Sequence, residues 1–411
     1  MNESAAAKIG VVGLATPTHT GPTTPPASLR ALAERYDGSR VDIPGGIARI
    51  RLEVRDVGEW DALIDGAGAV LHPADPELEP DALLSADASA WESAARDVRT
   101  GMTAFRRGRL HVRRNLHLGV GFLAGASGPY DGRGLRFRSL QTRTGRVSLA
   151  EAGQGDPVLC IHGLGGTKIS FLPTINALAD SYHVIAIDLP GFGDSDKPIG
   201  AAYDAPWFAR RVIDAMDALE LDRAHLVGNS MGGRIALETG LRHWDRVATA
   251  TLLCPALAWL RERPWAAFLK LVRPELGLVQ PAPRPVVEGI VRRLIPDAMD
   301  GWAAAGVDEF LRSYMTARGR AAFYAAARNI YLDEPGGEEG FWTRLGNHEA
   351  DTLFVWGLQD RLVPAAFRRH VEDVLPAARH VELNCGHVPQ VERPAETHRA
   401  IKDFLADRPL R

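Results

Sequence analysis

Three cysteines in 411 residues, Cys160, Cys254 and Cys385, stand far apart with no Cys-x-x-Cys pair. That leaves neither a disulfide framework nor a zinc ligand set, and a reducing cytoplasm is the expected compartment. No apolar run approaches the ~20 residues that cross a bilayer. The short run from Ile9 to Ala15 follows Lys8, but Glu3 precedes it and it only reaches the minimum length of a signal segment, so export is not expected. An excess of one charge is also missing. The 48 basic and 51 acidic residues give a net charge of -3 and are spread without long blocks, which offers no general attraction for nucleic acid or anionic membranes.

What is present is an ordinary globular composition, 45% hydrophobic and 24% charged, in a chain longer than the usual single domain, so two domains are expected. Residues 1–28 end in a Thr- and Pro-rich stretch that reads as an extended arm. Gly10-Val-Val-Gly13 within it lacks the glycine spacing and the following acidic residue of a nucleotide loop. From Ile47 to Val57, Ile50, Leu52 and Val54 alternate with Arg49, Arg51 and Glu53, the period of a half-buried strand. A helical segment follows over 88–99 with Trp91 and Ala95 on one side, and Leu110, Val112, Leu116, Leu118 and Val120 suggest further strands. The Gly-rich run 125–134 reads as a linker.

The second half has another rhythm. Short β-rich runs at Val158–Ile161, Val184–Ile187, His225–Val227, Thr249–Leu253 and Leu353–Trp356 alternate with helical stretches. That pattern predicts a mostly parallel sheet covered by helices on both faces. Between about 255 and 340 the alternation stops, and helical segments rich in Trp, Leu and Arg read as a cap over the strand ends. Trp259, Trp265 and Trp302 are expected as its apolar packing. The segment Trp259 to Val272 also alternates apolar residues with Arg261, Arg263 and Lys270, so peripheral contact with a lipid surface is a second reading.

The chemistry-bearing motif is Gly228-Asn-Ser230-Met-Gly232-Gly233, set directly between a strand and a helix. A Gly-x-Ser-x-Gly bend needs small neighbours, exposes the serine Oγ at the sheet edge and offers the Met231 N–H at a helix N-terminus to an oxyanion. A serine nucleophile needs a base and a carboxylate to orient it. His387 stands in Asn384-Cys-Gly-His-Val-Pro389 after a strand, and Asp360 stands in Trp356-Gly-Leu-Gln-Asp-Arg-Leu-Val-Pro364 after another. The alternative acid position near Cys254 holds no carboxylate. His162-Gly-Leu-Gly-Gly166 follows Val158–Ile161 where a second oxyanion donor belongs. His225 reads as a core histidine and Cys385 as a small packing residue.

Together with Asp188-Leu-Pro-Gly-Phe-Gly-Asp-Ser-Asp196, these loops resemble the α/β-hydrolase superfamily over residues 135–411. The resemblance implies an α/β-hydrolase fold with Ser230, Asp360 and His387 as triad, Leu164 and Met231 as oxyanion donors, and no metal or organic cofactor. In the front half, Asp81-Ala-Leu-Leu-Ser-Ala-Asp87, Trp91, Gly108-Arg-Leu-His-Val112 and Asn115-Leu-His-Leu-Gly119 resemble sterol-carrier-type (SCP2-like) domains. Arg114 stands where that family usually has a glycine. This implies a smaller α+β lipid-binding domain over 29–125, with 126–134 as linker. A module that only scaffolds the enzyme is the other reading of those residues.

The expected activity is hydrolysis of carboxylic esters of hydrophobic, acyl or lipid-like substrates through an acyl-enzyme. The Gly-Asn-Ser-Met-Gly-Gly elbow also resembles that of hydrolases cleaving C–C bonds in ring-fission diketones. Those relatives carry a glycine-proline oxyanion loop and a tryptophan after the histidine, where Gly165-Gly166-Thr167 and Val388 stand here. A lipid carrier without turnover is a third reading. The sequence does not select an oligomeric state.

Overall fold

The computed structural model describes residues 24–96, 104–105, 107–257, 273, 275–279, 283–286, 288–289, 302–331 and 337–410. Two sheets organise them. The first has five strands in the order β3-β2-β1-β4-β5, with β1 Ile47–Val54, β2 Gly58–Asp65, β3 Ala69–Pro73, β4 Ala82–Ala86 and β5 Leu110–Arg113. β1 and β4 run parallel and the other pairs antiparallel. The alternation in β1 resolves as expected: Ile50, Leu52 and Val54 are buried. Across the strand, Arg49 and Arg51 bind the buried carboxylate of Asp61 at 2.9 and 2.8 Å.

Helices α1 (Ala27–Glu34), α2 (Ala88–Arg96) and α3 (Leu116–Gly125) accompany this sheet. Two expectations are corrected here. Ala27 and Ser28, assigned to the arm, open α1, which buries Leu29 and Leu32. Leu116, Leu118 and Val120, expected in a strand, lie in α3, whose ten residues are all buried. Asn115 caps it, its side-chain oxygen accepting from Leu118 N–H at 3.1 Å. A helix buried on every side carries no amphipathic period, so local alternation misleads.

Glycine lets α3 approach its neighbours: a Cβ on Gly121 would stand 2.4 Å from Val41, and one on Gly125 would stand 2.4 Å from Tyr36. Just before the helix, Arg114 takes φ 70°, the left-handed region that favours glycine. The stretch 126–134 leads to the second sheet and is held along its length. Tyr130 N–H donates to Asp37 at 2.9 Å and the Arg40 guanidinium to the Pro129 carbonyl at 2.7 Å.

The second sheet has eight strands in the order β13-β12-β11-β10-β8-β9-β7-β6. The hairpin β6 (Arg136–Thr142) and β7 (Gly145–Ala152) is antiparallel. From β9 outward the strands are parallel: β8 Pro157–Ile161, β9 His183–Ile187, β10 Ala224–Asn229, β11 Val247–Leu253, β12 Asp351–Gly357 and β13 Arg379–Leu383. Helices α4 (Leu172–Leu178), α5 (Ala205–Ala218) and α6 (Met231–Arg242) make the connections after β8, β9 and β10. The carboxyl ends of the parallel strands therefore meet on one edge, where ligands bind in such sheets.

Between β11 and β12 stand α7 (Trp302–Tyr314) and α8 (Ala317–Tyr331), in the region read as a cap. Trp302 opens α7, whereas Trp259, Trp265 and the segment 259–272 lie outside the described residues. One hydrophobic cluster joins the two sheets, running from Ile50, Trp60 and Trp91 through Phe122 and Phe137 to Val158 and Phe171. Among the described residues no helix is long and apolar enough to cross a membrane.

Two histidines in the second sheet's surroundings tie stability to pH. His225, mid-strand as expected of a core residue, shares 2.9 Å with Thr249 Oγ1, and neither ring nitrogen of the buried His348 has a hydrogen-bond partner among the described residues. Burial pushes the pKa of each down to about 4. Below about pH 6.5 the unfolded chain binds protons that the folded chain refuses until pH reaches about 4, so stability is full above that window and falls on acidification through it. Thermal unfolding between pH 7.5 and 4.5 is expected to show a falling midpoint in wild type and a shallower fall in His348→Met. An identical slope in the two proteins would clear His348 of any part in it.

Candidate functional site

Ser230 sits between β10 and α6 with φ 54° and ψ -116°, a strained conformation for a residue with a side chain. The surroundings hold it there. Ser230 N–H donates to the Leu253 carbonyl at 2.9 Å, and the Ser230 carbonyl accepts from Ala256 N–H at 2.9 Å and Arg234 N–H at 3.2 Å. The glycines flanking it are required by backbone contact. A Cβ on Gly228 would lie 2.3 Å from the Gly232 carbonyl oxygen, and one on Gly232 would lie 2.0 Å from that of Ile161. Ser230 is 4% exposed and stands at the first turn of α6, where the Met231 amide is a helix-terminal donor.

The acid and the histidine follow the next parallel strands. β12 and β13 end in loops stitched together by Leu358 N–H to the Leu383 carbonyl and Gln359 N–H to the Cys385 carbonyl, both 2.9 Å. His387 Nδ1 donates to Asp360 Oδ2 at 2.7 Å. The other oxygen, Oδ1, accepts from Leu362 N–H at 2.7 Å and Val363 N–H at 2.9 Å. The carboxylate is thus oriented by two amides and presented to one ring nitrogen. That bond leaves Nε2 of His387 as the nitrogen with a free lone pair.

The structure adds residues that the sequence reading did not single out. Asn229 Nδ2 donates to the Leu253 carbonyl at 2.9 Å and to the His387 carbonyl at 3.1 Å, which joins the serine bend to the histidine loop. The Glu392 carboxylate accepts from Gly386 N–H at 2.7 Å and Val388 N–H at 2.8 Å, caging that loop from behind. A glutamate five residues after the histidine, next to Arg393-Pro394, was the available signal. Cys254 takes the alternative acid position, its thiol 3.7 Å from the Gly386 carbonyl.

Cys254, Asp360 and His387 bring one ligand-type atom each within 4.8 Å of one another. Burial, and then the Asp360 charge, push the Cys254 thiol well above its ordinary pKa, so it stays protonated, and a metal would have to displace the Asp360 bonds just described. The donor set fits a hydrogen-bonded cluster better than an ion site. Burial likewise pushes the Cys385 thiol up to about 12, which leaves it unsuited to nucleophilic work near neutrality.

The loop after β8 completes the arrangement. Gly166 N–H closes a turn on the Gly163 carbonyl at 3.0 Å, with Gly165 at φ 73°, where a turn of this type favours glycine. His162 pins it: Nε2 accepts from Leu189 N–H at 3.0 Å, and Nδ1 lies 2.8 Å from the Gly163 carbonyl. A Cβ on Gly163 would stand 3.2 Å from the Ser230 Cβ, so this turn runs beside the serine. Among the described residues, neither Leu164 nor Met231 donates its amide to a backbone carbonyl outside the regular elements. Phe310 of α7 and Phe323 of α8 cover the turn, 2.5 and 3.2 Å from where a Gly165 Cβ would be.

All five residues read from the sequence therefore lie at the carboxyl ends of neighbouring strands, with the His387–Asp360 pair bonded directly. Residues 156–394 match a family described as alpha/beta hydrolase fold. The chain is 32% identical over 273 residues to the 2-hydroxy-6-oxo-6-phenylhexa-2,4-dienoate hydrolase of Burkholderia cepacia, covering 64% of this chain and 92% of that protein. It is 30% identical over 276 residues to the dihydrolipoyllysine-residue acetyltransferase component of the acetoin cleaving system of Cupriavidus necator, covering 63% of this chain and 66% of that protein. Among solved structures it resembles a membrane phospholipase A described as a bacterial virulence factor, with a TM-score of 0.54 and 31% identity over 66% of this chain and 86% of that one. With that family match over more than half of its length, the chain belongs to the alpha/beta hydrolase fold family.

Proposed function

We propose that the protein is a serine hydrolase acting on carboxylic esters of hydrophobic, lipid-like substrates through an acyl-enzyme. The observation that carries this reading is the 2.7 Å bond between His387 Nδ1 and Asp360 next to a serine held at φ 54°. In this reading His387 Nε2 takes the Ser230 proton as Oγ bonds to the substrate carbonyl carbon, and the Leu164 and Met231 amides bind the oxyanion. Collapse breaks the ester C–O bond, and the leaving alcohol takes the proton from His387. Water then gives a proton to His387 as it attacks the acyl group. The acid leaves, and Ser230 Oγ recovers its proton.

The substrate class rests on two supports. The cap places Phe310, Tyr314 and Phe323 in one aromatic cluster, with ring centroids 5.2 to 5.7 Å apart, over the turn that holds Leu164. In this reading the front sheet with its helices is an SCP2-like lipid-binding module, which on the same chain would supply acyl or sterol-like esters. Similarity to a phospholipase A points the same way. A second reading, cleavage of a C–C bond in a diketone-type ring-fission product, is favoured by the 32% identity to the dienoate hydrolase.

Turnover of a nitrophenyl ester series from acetyl to palmitoyl tests the first reading. Wild type is expected to prefer the longer chains, and Ser230→Ala to lose at least ~10⁴-fold in kcat, with Asp360→Asn falling by about 10⁴-fold because the imidazole loses its orienting acceptor. Absence of both ester turnover and covalent serine labelling sinks it. Loss of the dienone chromophore with little ester turnover would move the C–C reading ahead. Lipid binding that survives Ser230→Ala, with neither activity, would leave a carrier.

Glu392 gives a separate expectation. Glu392→Ala strips two part-buried amide bonds from the histidine loop, so unfolding in urea should show a loss of about 1 to 2 kcal/mol, because water can reach the freed donors. kcat should fall with it while KM moves less, because the loop carries His387. A variant with wild-type stability and kcat would show that the cage is dispensable.

A further inference from the structure

Behind the turn that carries Leu164 lies a buried charge cluster that no step of the acyl transfer uses. Lys168, two residues past the turn and fully buried, places Nζ 2.7 Å from Asp188 and 3.0 Å from Asp194, and its backbone N–H donates to Asp188 Oδ1 at 2.7 Å. Arg312 of α7 reaches Asp194 with two nitrogens, at 2.6 and 3.1 Å, and Glu309 at 2.6 Å. Two residues before Arg312 on the same helix, Phe310 covers Gly165. The helix that covers the turn is thus bonded to the charges that anchor its far end.

α7 is seated in turn by the N-terminal sheet. Arg113, the last residue of β5, binds Asp308 at 2.7 Å. The same carboxylate accepts from Arg114 N–H at 3.0 Å, at the residue whose φ of 70° needs a fixed partner. Glu309 accepts from Leu116 N–H at 3.4 Å, and His117 of α3 stands 3.6 Å from Asp194. Within the cluster Lys168 and Arg312 pair with three carboxylates, Asp188, Asp194 and Glu309, and the Lys197 ammonium stands beside them on the Gly193 and Ser195 carbonyls at 2.6 and 3.2 Å. Withdrawing Arg312 leaves Asp194 and Glu309 without the guanidinium they share, and moving α7 outward is one relief. That movement takes Phe310 off Gly165 and frees the turn.

We propose that Arg312 is a positioning residue that fixes the oxyanion turn through Asp194 and Lys168, while the N-terminal sheet seats its helix through Arg113 and Asp308. The inference rests on the serine-hydrolase reading. It gives the front module a task in catalysis that does not depend on lipid: it holds the cap helix in the place where the Leu164 amide meets the oxyanion.

The rate constant for covalent labelling of Ser230 by a fluorophosphonate tests it in the full chain, because the phosphoryl oxygen must enter the oxyanion hole. Arg312→Met is expected to label at least ~10-fold more slowly, a smaller loss than the ~10²- to 10³-fold of removing an oxyanion donor outright, and to lower kcat for a nitrophenyl ester more than it raises KM. A purely structural role would lower the unfolding midpoint and leave the labelling rate of folded protein alone. Asp308→Asn, remote from the serine, is expected to slow labelling several-fold in the same direction.

Wild type that does not label sinks the serine-hydrolase reading, and the positioning role with it. Wild type that labels while folded Arg312→Met labels within two-fold of it overturns the positioning role alone, and a wild-type rate in Asp308→Asn overturns the seating by the N-terminal sheet. If Arg312→Met shows no cooperative unfolding transition, Arg312→Lys decides. It keeps the charge but cannot fork between Asp194 and Glu309, so an intermediate rate supports the role and a wild-type rate overturns it.

Discussion

Backbone lies against backbone wherever the site is built, and glycine is the residue that allows it. A Cβ on Gly232 would meet the end of β8 at 2.0 Å, and one on Gly357 would meet the Gly386 carbonyl at the same distance. These two approaches bring the serine bend against the loop after β8, and the acid loop against the histidine loop. The strain at Ser230 is tolerated because the flanking chain cannot relax away from it: Leu253, Ala256 and Arg234 hold both of its peptide groups. Remove the close approach and the hydrogen bonds between the loops lose their geometry together, since Asn229 can reach the His387 carbonyl only from a bend this tight.

Two electrostatic regimes sit side by side on that frame. Around His387 the structure uses amides rather than full charges: Asp360 is held by two N–H groups and Glu392 by two more. Behind the turn that carries Leu164 it uses full charges buried together. Burial disfavours the Lys168 ammonium, but Asp188 and Asp194 outweigh it and hold its pKa above the ordinary lysine value. Burial also works against the charged Asp194, yet Lys168 and Arg312 keep it well below the usual carboxylate range. The second regime ties together the loops after β8 and β9 and helix α7.

The difference explains what was legible in the sequence. Ser230, Asp360, His387 and the turn at Leu164 could be read because local chemistry dictates their surroundings: small residues at a bend, a strand before, a helix after. Glu392 was within reach by spacing alone. Lys168, Asp194 and Arg312 were not, because buried ion pairs between residues 26 and 118 apart leave no periodic trace, and each residue alone reads as a solvated surface charge. α3 failed for another reason. Buried on all sides, it shows alternating leucines where a surface helix would show a stripe, and its N-cap Asn115 and its glycines at 119, 121 and 125 were the better guides.

The same packing bears on why the N-terminal sheet is on this chain at all. A carrier that delivers ligand needs only a tether, and a tether would leave two cores. Here one apolar cluster runs from Trp60 and Trp91 into Phe171, α3 fills the seam with ten buried residues, and Arg114 accepts a glycine-type conformation to place its amide on Asp308. Separation would expose the seam and strand a carboxylate of the cap. The N-terminal sheet is therefore part of what supports α7 rather than a body tethered beside it.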